Sequence, residues 1–257
     1  MTPLIKIDQI YFKREDQNLT GSAKDRAISL QVEKLIKLGF KSAVISSTGN
    51  AAISAQYFCH KHKIPLTIFV SKKIDKSKLY LLDKPIFSNK PISDAIKFAK
   101  KNNAYFLRQS TDQTALIGYS QIAKEILAQL PQTSAIFVPS GSGTTALGIA
   151  SNFAKVWIVQ PASHCPLASH YDNLYLHETH SDTTSLGAKM LPLKSKIFKV
   201  IRHGTVIQNQ DLIKAQKYLK DHDIISSAEG ALALAGYFKF EDQAGNFPVI
   251  ILTGAQR

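Results

Sequence analysis

Apolar residues recur along the chain at two spacings, one typical of helices and one typical of strands. Between Ser22 and Leu38 they fall at helical intervals and stop at Gly39, which predicts a helix over this stretch. The same spacing predicts helices over Ala51–His62, Asp94–Asn102, Leu116–Leu130, Asp211–Lys220 and Ala228–Phe240, and one directly after Gly143. Short apolar runs bounded by turn residues predict strands over Leu4–Ile7, Ile10–Lys13, Ser42–Ser46, Leu66–Val70, Ala135–Val138, Val156–Val159, Phe198–Ile201 and Val249–Leu252.

Strands separated by helices predict an α/β fold, because parallel strands need crossover connections. No internal repeat and no Gly/Ser-rich linker divides the sequence. We therefore expect two lobes with mainly parallel open sheets covered by helices. The larger domain comprises residues 1–39 and 127–257, and residues 40–126 form a smaller inserted domain. Ligands of such sheets bind beyond the carboxyl ends of the strands, so we expect a ligand in the cleft between the lobes.

The charge of the chain narrows the classes of partner. The chain has 32 lysines and arginines against 19 aspartates and glutamates, a formal net charge of +13, but only five of the basic residues are arginines. Specific nucleic-acid binding relies on arginines gathered on one face, so a lysine-rich surface is favoured instead. Part of the positive charge would serve a site for small anionic ligands.

Two further features indicate the cellular compartment. The two cysteines, Cys59 and Cys165, are too few for a disulfide framework and form no C-x-x-C pair. The first 16 residues lack a basic segment followed by an apolar core, and no stretch approaches the roughly 18 apolar residues of a membrane span. We therefore expect a cytoplasmic protein with no membrane partner.

The first of three polar loops ends in a lysine at the start of a helix. Residues 13–26 read KREDQNLTGSAKDR, and Lys24 falls in the first turn of the predicted helix. The partial positive charge of a helix N-terminus disfavours an ammonium group there, which favours the neutral amine that condenses with aldehydes. An ordinary surface lysine beside Asp25 is the alternative.

Two more loops join a strand to a helix and are rich in small residues and hydroxyls. Residues 46–52 read SSTGNAA, which suits a carboxylate or a phosphate, although a capped helix explains the composition equally well. Residues 140–148 read SGSGTTALG, where the glycines let the backbone wrap a phosphate and the hydroxyls add donors. The glycine spacing fits neither a Walker loop nor a Rossmann fingerprint. A phosphate cradle is nevertheless favoured over a simple turn.

Together the three loops suit a phosphorylated aldehyde and an amino-acid carboxylate, which indicates pyridoxal phosphate. The chain resembles the fold type II, tryptophan synthase β-subunit-like, pyridoxal phosphate enzymes. The shared segments are Thr-Pro-Leu at 2–4, Lys-x-Glu-Asp-x-Asn-x-Thr-Gly-Ser-x-Lys-Asp-Arg at 13–26, Ser-Thr-Gly-Asn-Ala at 47–51, Gly-Ser-Gly-Thr-Thr at 141–145, the alanine-rich segment 228–236 and Leu-Thr-Gly at 252–254. Within the family the chain most resembles threonine synthase.

The resemblance implies a role for each matched residue. Lys24 would hold the cofactor as a Schiff base and shuttle protons, and Asn50 would hydrogen-bond its phenolic oxygen. Thr253 would face the pyridine nitrogen, where a hydroxyl rather than a carboxylate suits elimination and replacement chemistry. The substrate carboxylate would bind at Ser47, Thr48, Gly49, Asn50 and Ala51, and the cofactor phosphate at Gly141, Ser142, Gly143, Thr144 and Thr145.

The resemblance therefore predicts a lyase that converts O-phosphohomoserine and water to threonine and phosphate. Two positions depart from the pattern, since Leu19 replaces a usual proline and Ala23 a usual phenylalanine, and the chain is shorter than typical threonine synthases. Serine/threonine dehydratase and cysteine synthase-like elimination or replacement enzymes are the alternatives. The Lys-Asp-Arg ending is common to threonine and cysteine synthases, whereas Thr253 favours threonine synthase. A non-catalytic cofactor-binding protein or a basic nucleic-acid-binding protein is a more remote alternative.

A group of histidines raises the alternative of a metal site. It consists of His164, Cys165, His170, His177 and His180. Its spacing matches no zinc motif and it contains no cysteine pair, so we expect no metal. The expected partner is a small anionic amino acid, and the dimers frequent in the family allow a homodimer.

Overall fold

The computed structural model describes residues 1–47, 49–72, 74, 79–183, 186–188 and 190–256, and it confirms the α/β class. The chain divides into two compact units. The first comprises Met1–Ala23 and Tyr119–Gln256, and the second comprises Lys24–Gly118. Among the described residues, no helix combines the length and the apolar character needed to cross a membrane.

The strands and helices are numbered in chain order. The strands are β1 (Leu4–Ile7), β2 (Ile10–Lys13), β3 (Ala43–Ser46), β4 (Leu66–Ser71), β5 (Ile86–Ser88), β6 (Tyr105–Phe106), β7 (Ala135–Pro139), β8 (Val156–Pro161), β9 (His203–Ile207) and β10 (Pro248–Ile251). The helices are α1 (Lys24–Lys37), α2 (Asn50–Lys61), α3 (Pro91–Asn102), α4 (Gln113–Gln129), α5 (Thr144–Ala150), α6 (Lys194–Val200), α7 (Asn209–Asp221), α8 (Ala228–Lys239) and α9 (Glu241–Ala244). Single 3-10 turns cover Glu15–Gln17, Gln109–Thr111 and Ala168–His170.

The first unit is built on a six-stranded sheet in the order β1-β2-β10-β7-β8-β9. β1 and β2 pair antiparallel, and every other neighbouring pair is parallel. Adjacent parallel strands end at the same edge of a sheet. The residues that follow β2, β10 and β7 therefore meet at one edge, which is where ligands of such sheets bind.

The core of the first unit lies between this sheet and α8. Phe137 on β7 stacks on Trp157 on β8, with ring centroids 5.4 Å apart, and Phe137 also meets Tyr237 of α8 edge-on. At Gly236 of α8, an added Cβ would lie 2.7 Å from a methyl carbon of Val159. The helix thus packs on β8 at a distance that only glycine allows, which stabilises the sheet that carries the candidate site.

The second unit contains a fully parallel sheet in the order β5-β4-β3-β6. Ile28 of α1, Ala52 of α2 and Ile45 of β3 are buried in one hydrophobic core. α4 crosses α1 closely, because a Cβ added at Gly118 would lie 2.0 Å from the carbonyl oxygen of Arg26. The two helices of this unit that carry predicted site residues, α1 and α2, are therefore anchored in the same core.

The boundaries of the compact units differ from those of the predicted domains. The prediction assigns residues 1–39 to the larger domain and residues 40–126 to the smaller one. In the structure α1 lies in the second unit, because its buried residues Ile28, Val32 and Leu35 pack with β3 and β4 rather than with the six-stranded sheet. Residues 119–126 of α4 lie in the first unit.

The predicted strand Phe198–Ile201 is wrong. Residues 194–200 form α6, and the strand of this region begins at His203. Ile197 and Ile201 are both fully buried, and the N–H of Ile201 donates to the carbonyl of Ile197 over 2.8 Å. Apolar residues four positions apart pack on one side of a helical turn, and a run of four residues is too short for its periodicity to separate the two structures.

Candidate active site

The glycine-rich loop between β7 and α5 is tightly turned. Gly143 has a φ of 77°, in the left-handed region that disfavours a side chain. An added Cβ there would lie 2.5 Å from Cδ1 of Ile197 and 2.8 Å from Cδ1 of Leu167. Next to it, the hydroxyl oxygens of Ser142 and Thr144 lie 2.9 Å apart and share a hydrogen bond. Backbone conformation and packing together restrict this position to glycine.

The chemistry of this loop suits an anion. Thr144 and Thr145 are buried, whereas Gly141 and Ser142 are partly exposed. The loop and the helix after it read PSGSGTTALGIA over residues 139–150, without an acidic side chain. Hydroxyls and backbone N–H groups are the donors that bind phosphate oxygens, and a loop of small residues lets the ligand approach them.

Thr253 lies at the same edge of the six-stranded sheet, two residues after the end of β10. Its carbonyl accepts a hydrogen bond from the N–H of Ala23 over 3.0 Å, and Ser22 forms an antiparallel bridge with Gly254. The end of β10 is thus joined to the segment that immediately precedes Lys24 in the chain. Because β10 and β7 are parallel neighbours, Thr253 and the glycine-rich loop follow strands that end side by side.

The other predicted loop lies in the second unit, between β3 and α2. The N–H of Gly49 donates to the hydroxyl of Ser47 over 3.3 Å, and α2 begins at Asn50. Ser47, Gly49 and Asn50 are partly exposed, whereas Ala51 is buried. Thr48 lies outside the described residues. The loop therefore presents a hydroxyl, an amide side chain and backbone donors at the start of α2, the groups that a carboxylate needs.

Lys24 is the first residue of α1 and is partly buried. Four residues along the helix, Ile28 is fully buried in the core that also holds Ala52 and Ala55 of α2. The helix that positions Lys24 and the helix that begins at Asn50 are thus held by one core. Rigid elements of this kind give the side chains that they carry a defined place.

The sequence prediction missed one buried polar residue beside the glycine-rich loop. Gln160 on β8 is fully buried, and its side chain bonds to the carbonyls of Ser140 and Gly141. The same side chain accepts hydrogen bonds from the N–H groups of Leu167 and Ala168. A lone amide in the apolar strand VWIVQP was the signal that could have singled it out.

Asp172 is a second buried polar residue of the first unit that the sequence prediction missed. It accepts hydrogen bonds from Thr205, from the N–H of Val206 and from Lys239. Burial alone would raise the pKa of its carboxyl, but these hydrogen bonds together lower that pKa below its ordinary value. Asp172 therefore stays ionised and joins the 3-10 turn at Ala168–His170 to β9.

The histidines of the alternative metal site have other neighbours in the structure. His164 hydrogen-bonds the carbonyl of Ala188 over 3.1 Å, and His170 stacks on Phe198. Burial raises the pKa of the Cys165 thiol, which keeps the thiol protonated. In the described part of the chain, no group of three or more His, Cys, Asp and Glu side chains is arranged to hold a metal ion.

A comparison with protein families assigns the chain. The model of the family described as "Pyridoxal-phosphate dependent enzyme" matches residues 1–254. The chain belongs to this family. Its cofactor is pyridoxal phosphate, as the three loops predict, and the match includes every residue predicted for the site.

Relatives of this family member have more than one activity. Threonine dehydratase of Nicotiana attenuata is 26% identical over 270 residues, which cover 95% of this chain and 45% of the relative. L-threo-3-hydroxyaspartate ammonia-lyase of Saccharomyces cerevisiae is 24% identical over 268 residues, or 96% of this chain and 82% of the relative. Threonine synthase of Methanosarcina acetivorans is 26% identical over 197 residues, or 65% of this chain and 49% of the relative. The chain thus spans less than half the length of the first and the third.

Solved structures agree on the fold. Maize serine racemase matches with a TM-score of 0.88 at 18% identity, covering 100% of this chain and 88% of that protein. At this level of identity the likeness concerns the backbone architecture, since one fold carries several activities.

The residues of the glycine-rich loop fit the phosphate of the cofactor. The left-handed Gly143 admits no side chain, the hydroxyls of Ser142 and Thr144 face each other, and no carboxylate lies in the loop sequence to repel the anion. Thr253 offers a neutral hydroxyl at the neighbouring strand end. The donor set is therefore compatible with pyridoxal phosphate.

Proposed function

We propose that this member of the pyridoxal phosphate family is a lyase that forms threonine and phosphate from O-phosphohomoserine and water. The observation that carries the proposal is the backbone hydrogen bond between Ala23 and Thr253. It joins the residue before Lys24 to the strand end that carries Thr253, beside the strand that leads into the glycine-rich loop. The resemblance to threonine synthase at Thr253 supports the choice of substrate.

When bound, pyridoxal phosphate supplies an aldehyde that takes up an amine and a ring that stabilises negative charge at the substrate α-carbon. In the proposed mechanism the amine of Lys24 would hold the cofactor and would carry protons to and from the substrate carbons. The hydroxyl and backbone donors of Ser47, Gly49 and Asn50 bind the substrate carboxylate.

The remaining proposed residues bind and orient the cofactor. Residues 141–145 would hold its phosphate, and Asn50 would donate a hydrogen bond to its phenolic oxygen. The neutral hydroxyl of Thr253 would face the pyridine nitrogen and would leave it largely unprotonated. This would moderate the withdrawal of electrons by the ring, which suits elimination and replacement chemistry.

A second candidate function is deamination of threonine or serine to a 2-oxo acid and ammonia. The observation that favours it is the extent of similarity, because the dehydratase and ammonia-lyase relatives align with 95% and 96% of this chain, whereas the threonine synthase relative aligns with 65%. Both functions use the same proposed roles of Lys24 and the two loops. They differ in the substituent that leaves and in whether water is added.

A panel of substrates tests the proposal with the holoenzyme. O-phosphohomoserine, threonine, serine, and O-acetylserine with sulfide are supplied separately, and threonine, phosphate, 2-oxo acid and cysteine are measured. We expect threonine and phosphate in equal amounts from O-phosphohomoserine. Formation of 2-oxo acid from threonine or serine without turnover of O-phosphohomoserine would assign the second candidate instead. Formation of cysteine from O-acetylserine and sulfide, without turnover of the other substrates, would place the chain among replacement enzymes.

A further inference from the structure

Gln160 uses the whole hydrogen-bonding capacity of its side-chain amide on backbone groups around the glycine-rich loop. Its Nε2 donates to the carbonyls of Ser140 and Gly141 over 2.8 and 3.2 Å. Its Oε1 accepts from the N–H groups of Leu167 and Ala168 over 2.8 and 2.9 Å. An amide has two donor hydrogens and two acceptor positions, so all four are engaged. The side chain is fully buried, so water offers no substitute.

The two donated bonds determine where the loop N–H groups point. A planar trans peptide directs its C=O and its N–H to opposite sides, and the described chain contains no cis peptide bond. With the carbonyl of Ser140 bound to Gln160, the N–H of Gly141 points away from Gln160. By the same geometry the bond to the carbonyl of Gly141 turns the N–H of Ser142 away. Gln160 thus keeps two carbonyls off the outer side of the loop and leaves two donors there.

The two accepted bonds fix the packing around the turn. They hold the backbone of Leu167 and Ala168, where the 3-10 turn Ala168–His170 begins. The side chain of Leu167 lies against Gly143, as shown by the 2.8 Å that would separate its Cδ1 from an added Cβ. One amide therefore secures both the entry of the loop and the apolar residue that packs on its left-handed turn.

We propose that Gln160 is a positioning residue for the cofactor phosphate. It orients the N–H groups of Gly141 and Ser142 as phosphate donors without contacting the phosphate itself. The inference rests on the proposed assignment of residues 141–145 to the phosphate, and it adds a residue that none of the three loops contains.

The test compares pyridoxal phosphate with pyridoxal, which has the same aldehyde and ring but no phosphate. Gln160→Glu keeps the size and the acceptor oxygen and loses the Nε2 donor, whereas Gln160→Met removes the amide without adding charge. Dissociation constants are measured with cofactor-free protein by fluorescence titration. We expect both variants to bind pyridoxal phosphate about tenfold more weakly and pyridoxal within about twofold of the wild type, as for the loss of hydrogen bonds to one group of the ligand.

Two further variants separate the possible outcomes. Thr205→Val removes another buried hydrogen bond in the same sheet, from Thr205 to Asp172, and should leave the ratio of the two dissociation constants unchanged. Thr144→Val tests the loop itself. If Thr144→Val lowers the preference for the phosphorylated ligand and the Gln160 variants do not, the inference about Gln160 is wrong while the phosphate loop stands. If neither does, the phosphate binds elsewhere and both assignments fail.

A measurement on the wild-type protein keeps the test independent of folding defects in the variants. Amide hydrogen exchange is followed at Gly141 and Ser142 with and without each ligand. We expect pyridoxal phosphate to slow exchange at both amides at least about tenfold more than pyridoxal does, because only the phosphate accepts their hydrogen bonds. Equal exchange with the two ligands would overturn the inference.

Discussion

The backbone N–H of Ala23 donates a hydrogen bond to the carbonyl of Thr253 over 3.0 Å, although 230 positions separate the two residues in the sequence. Two residues further on, the N–H of Ala255 donates to the carbonyl of Gly21 over 2.9 Å. These bonds extend the six-stranded sheet by a short antiparallel contact at the carboxyl end of β10. The backbone of the residue before Lys24 is therefore held in place within the first unit.

We expect Lys24→Ala to abolish catalysis and the visible absorption of the lysine-bound cofactor. Loss of a residue that acts as both nucleophile and proton carrier should reduce kcat by at least about a thousandfold. Lys37→Ala, an exposed lysine at the other end of α1, is the matched control and should leave both properties unchanged. Spectra and turnover of the purified holoenzymes provide the measurement. Retention of the absorption band in Lys24→Ala would exclude this lysine as the attachment point.

Gly143→Ala should weaken both the fold and cofactor binding. The left-handed φ costs roughly 1–2 kcal/mol with a Cβ present, and the close approach of Ile197 and Leu167 adds roughly 1–3 kcal/mol of overpacking. Gly39→Ala is the matched control, because Gly39 has a similar φ of 79° and no atom within 4 Å of an added Cβ. Denaturant unfolding should show a larger decrease in unfolding free energy for Gly143→Ala than for Gly39→Ala. Only Gly143→Ala should lower the affinity for pyridoxal phosphate. Equal losses would mean that packing around the loop is unimportant.

The sequence predicts most of the fold because its signals are local. Strands β1 and β2 match their predicted bounds. Helix α1 ends at Lys37, and Gly39, with a φ of 79°, closes the helix together with a hydrogen bond from the N–H of Phe40 to the carbonyl of Leu35. The α6 region was mispredicted because a run of four residues, three of them apolar, supports either structure. The predicted domain boundary after residue 39 depends on which sheet α1 packs against, and that is a long-range property.

The candidate site residues also divide into those that a local sequence pattern predicts and those that depend on long-range contacts. Each predicted loop is a local run of small and polar residues, which a single sequence displays directly. Gln160 bonds to the carbonyls of Ser140 and Gly141, which lie 20 and 19 residues earlier in the chain, before a crossover. No spacing rule connects Gln160 with these two residues. Lys13 and Glu15 belong to the shared segment 13–26, yet both are buried, and Glu15 accepts a hydrogen bond from Thr2. Part of the motif thus stabilises the fold, a distinction that only the packing reveals.

The pH dependence of stability should depend on Asp112. Burial alone would raise the pKa of its carboxyl, but hydrogen bonds from Tyr105, Gln31, Lys34 and the N–H of residue 114 lower it well below its ordinary value. A lowered pKa in the folded state stabilises the protein above the ordinary aspartate pKa, and this contribution is lost as the pH falls toward the folded-state value. The difference in unfolding free energy between wild type and Asp112→Asn should therefore shrink from about pH 5 downward.

Tyr105→Phe provides the control for this prediction. It removes one of the hydrogen bonds that lower the pKa of Asp112, so the stability difference attributed to Asp112 should depend less steeply on pH in this background. Urea unfolding at several pH values measures the stability difference that Asp112→Asn causes, once in the wild-type background and once in the Tyr105→Phe background. An unchanged difference between wild type and Asp112→Asn across the acidic range would show that Asp112 contributes no pH-dependent stability.

Breaking the ion pair between Lys13 and Glu125 should lower the unfolding free energy more than breaking an exposed ion pair does. Lys13 is fully buried, and its Nζ donates to Glu125 over 2.6 Å and to the carbonyl of Thr2 over 2.7 Å. Glu125→Ala leaves a buried ammonium without its counter-ion, which typically costs roughly 3–5 kcal/mol of unfolding free energy. Removing a partner from an exposed pair costs less than about 1 kcal/mol, so Asp211→Ala, which breaks the pair of Asp211 and Lys214, is the control.

A double variant distinguishes loss of the ion pair from loss of packing at the same place. Lys13→Met combined with Glu125→Leu removes both charges and keeps apolar volume, so it should recover most of the stability lost in Glu125→Ala. Denaturant unfolding of the three proteins measures this. If the double variant is no more stable than Glu125→Ala, the cost lies in the shape of the side chains rather than in the unpaired charge. Because β2 leads from Lys13 into the loop that ends at Lys24, recovered stability should be accompanied by recovered cofactor binding.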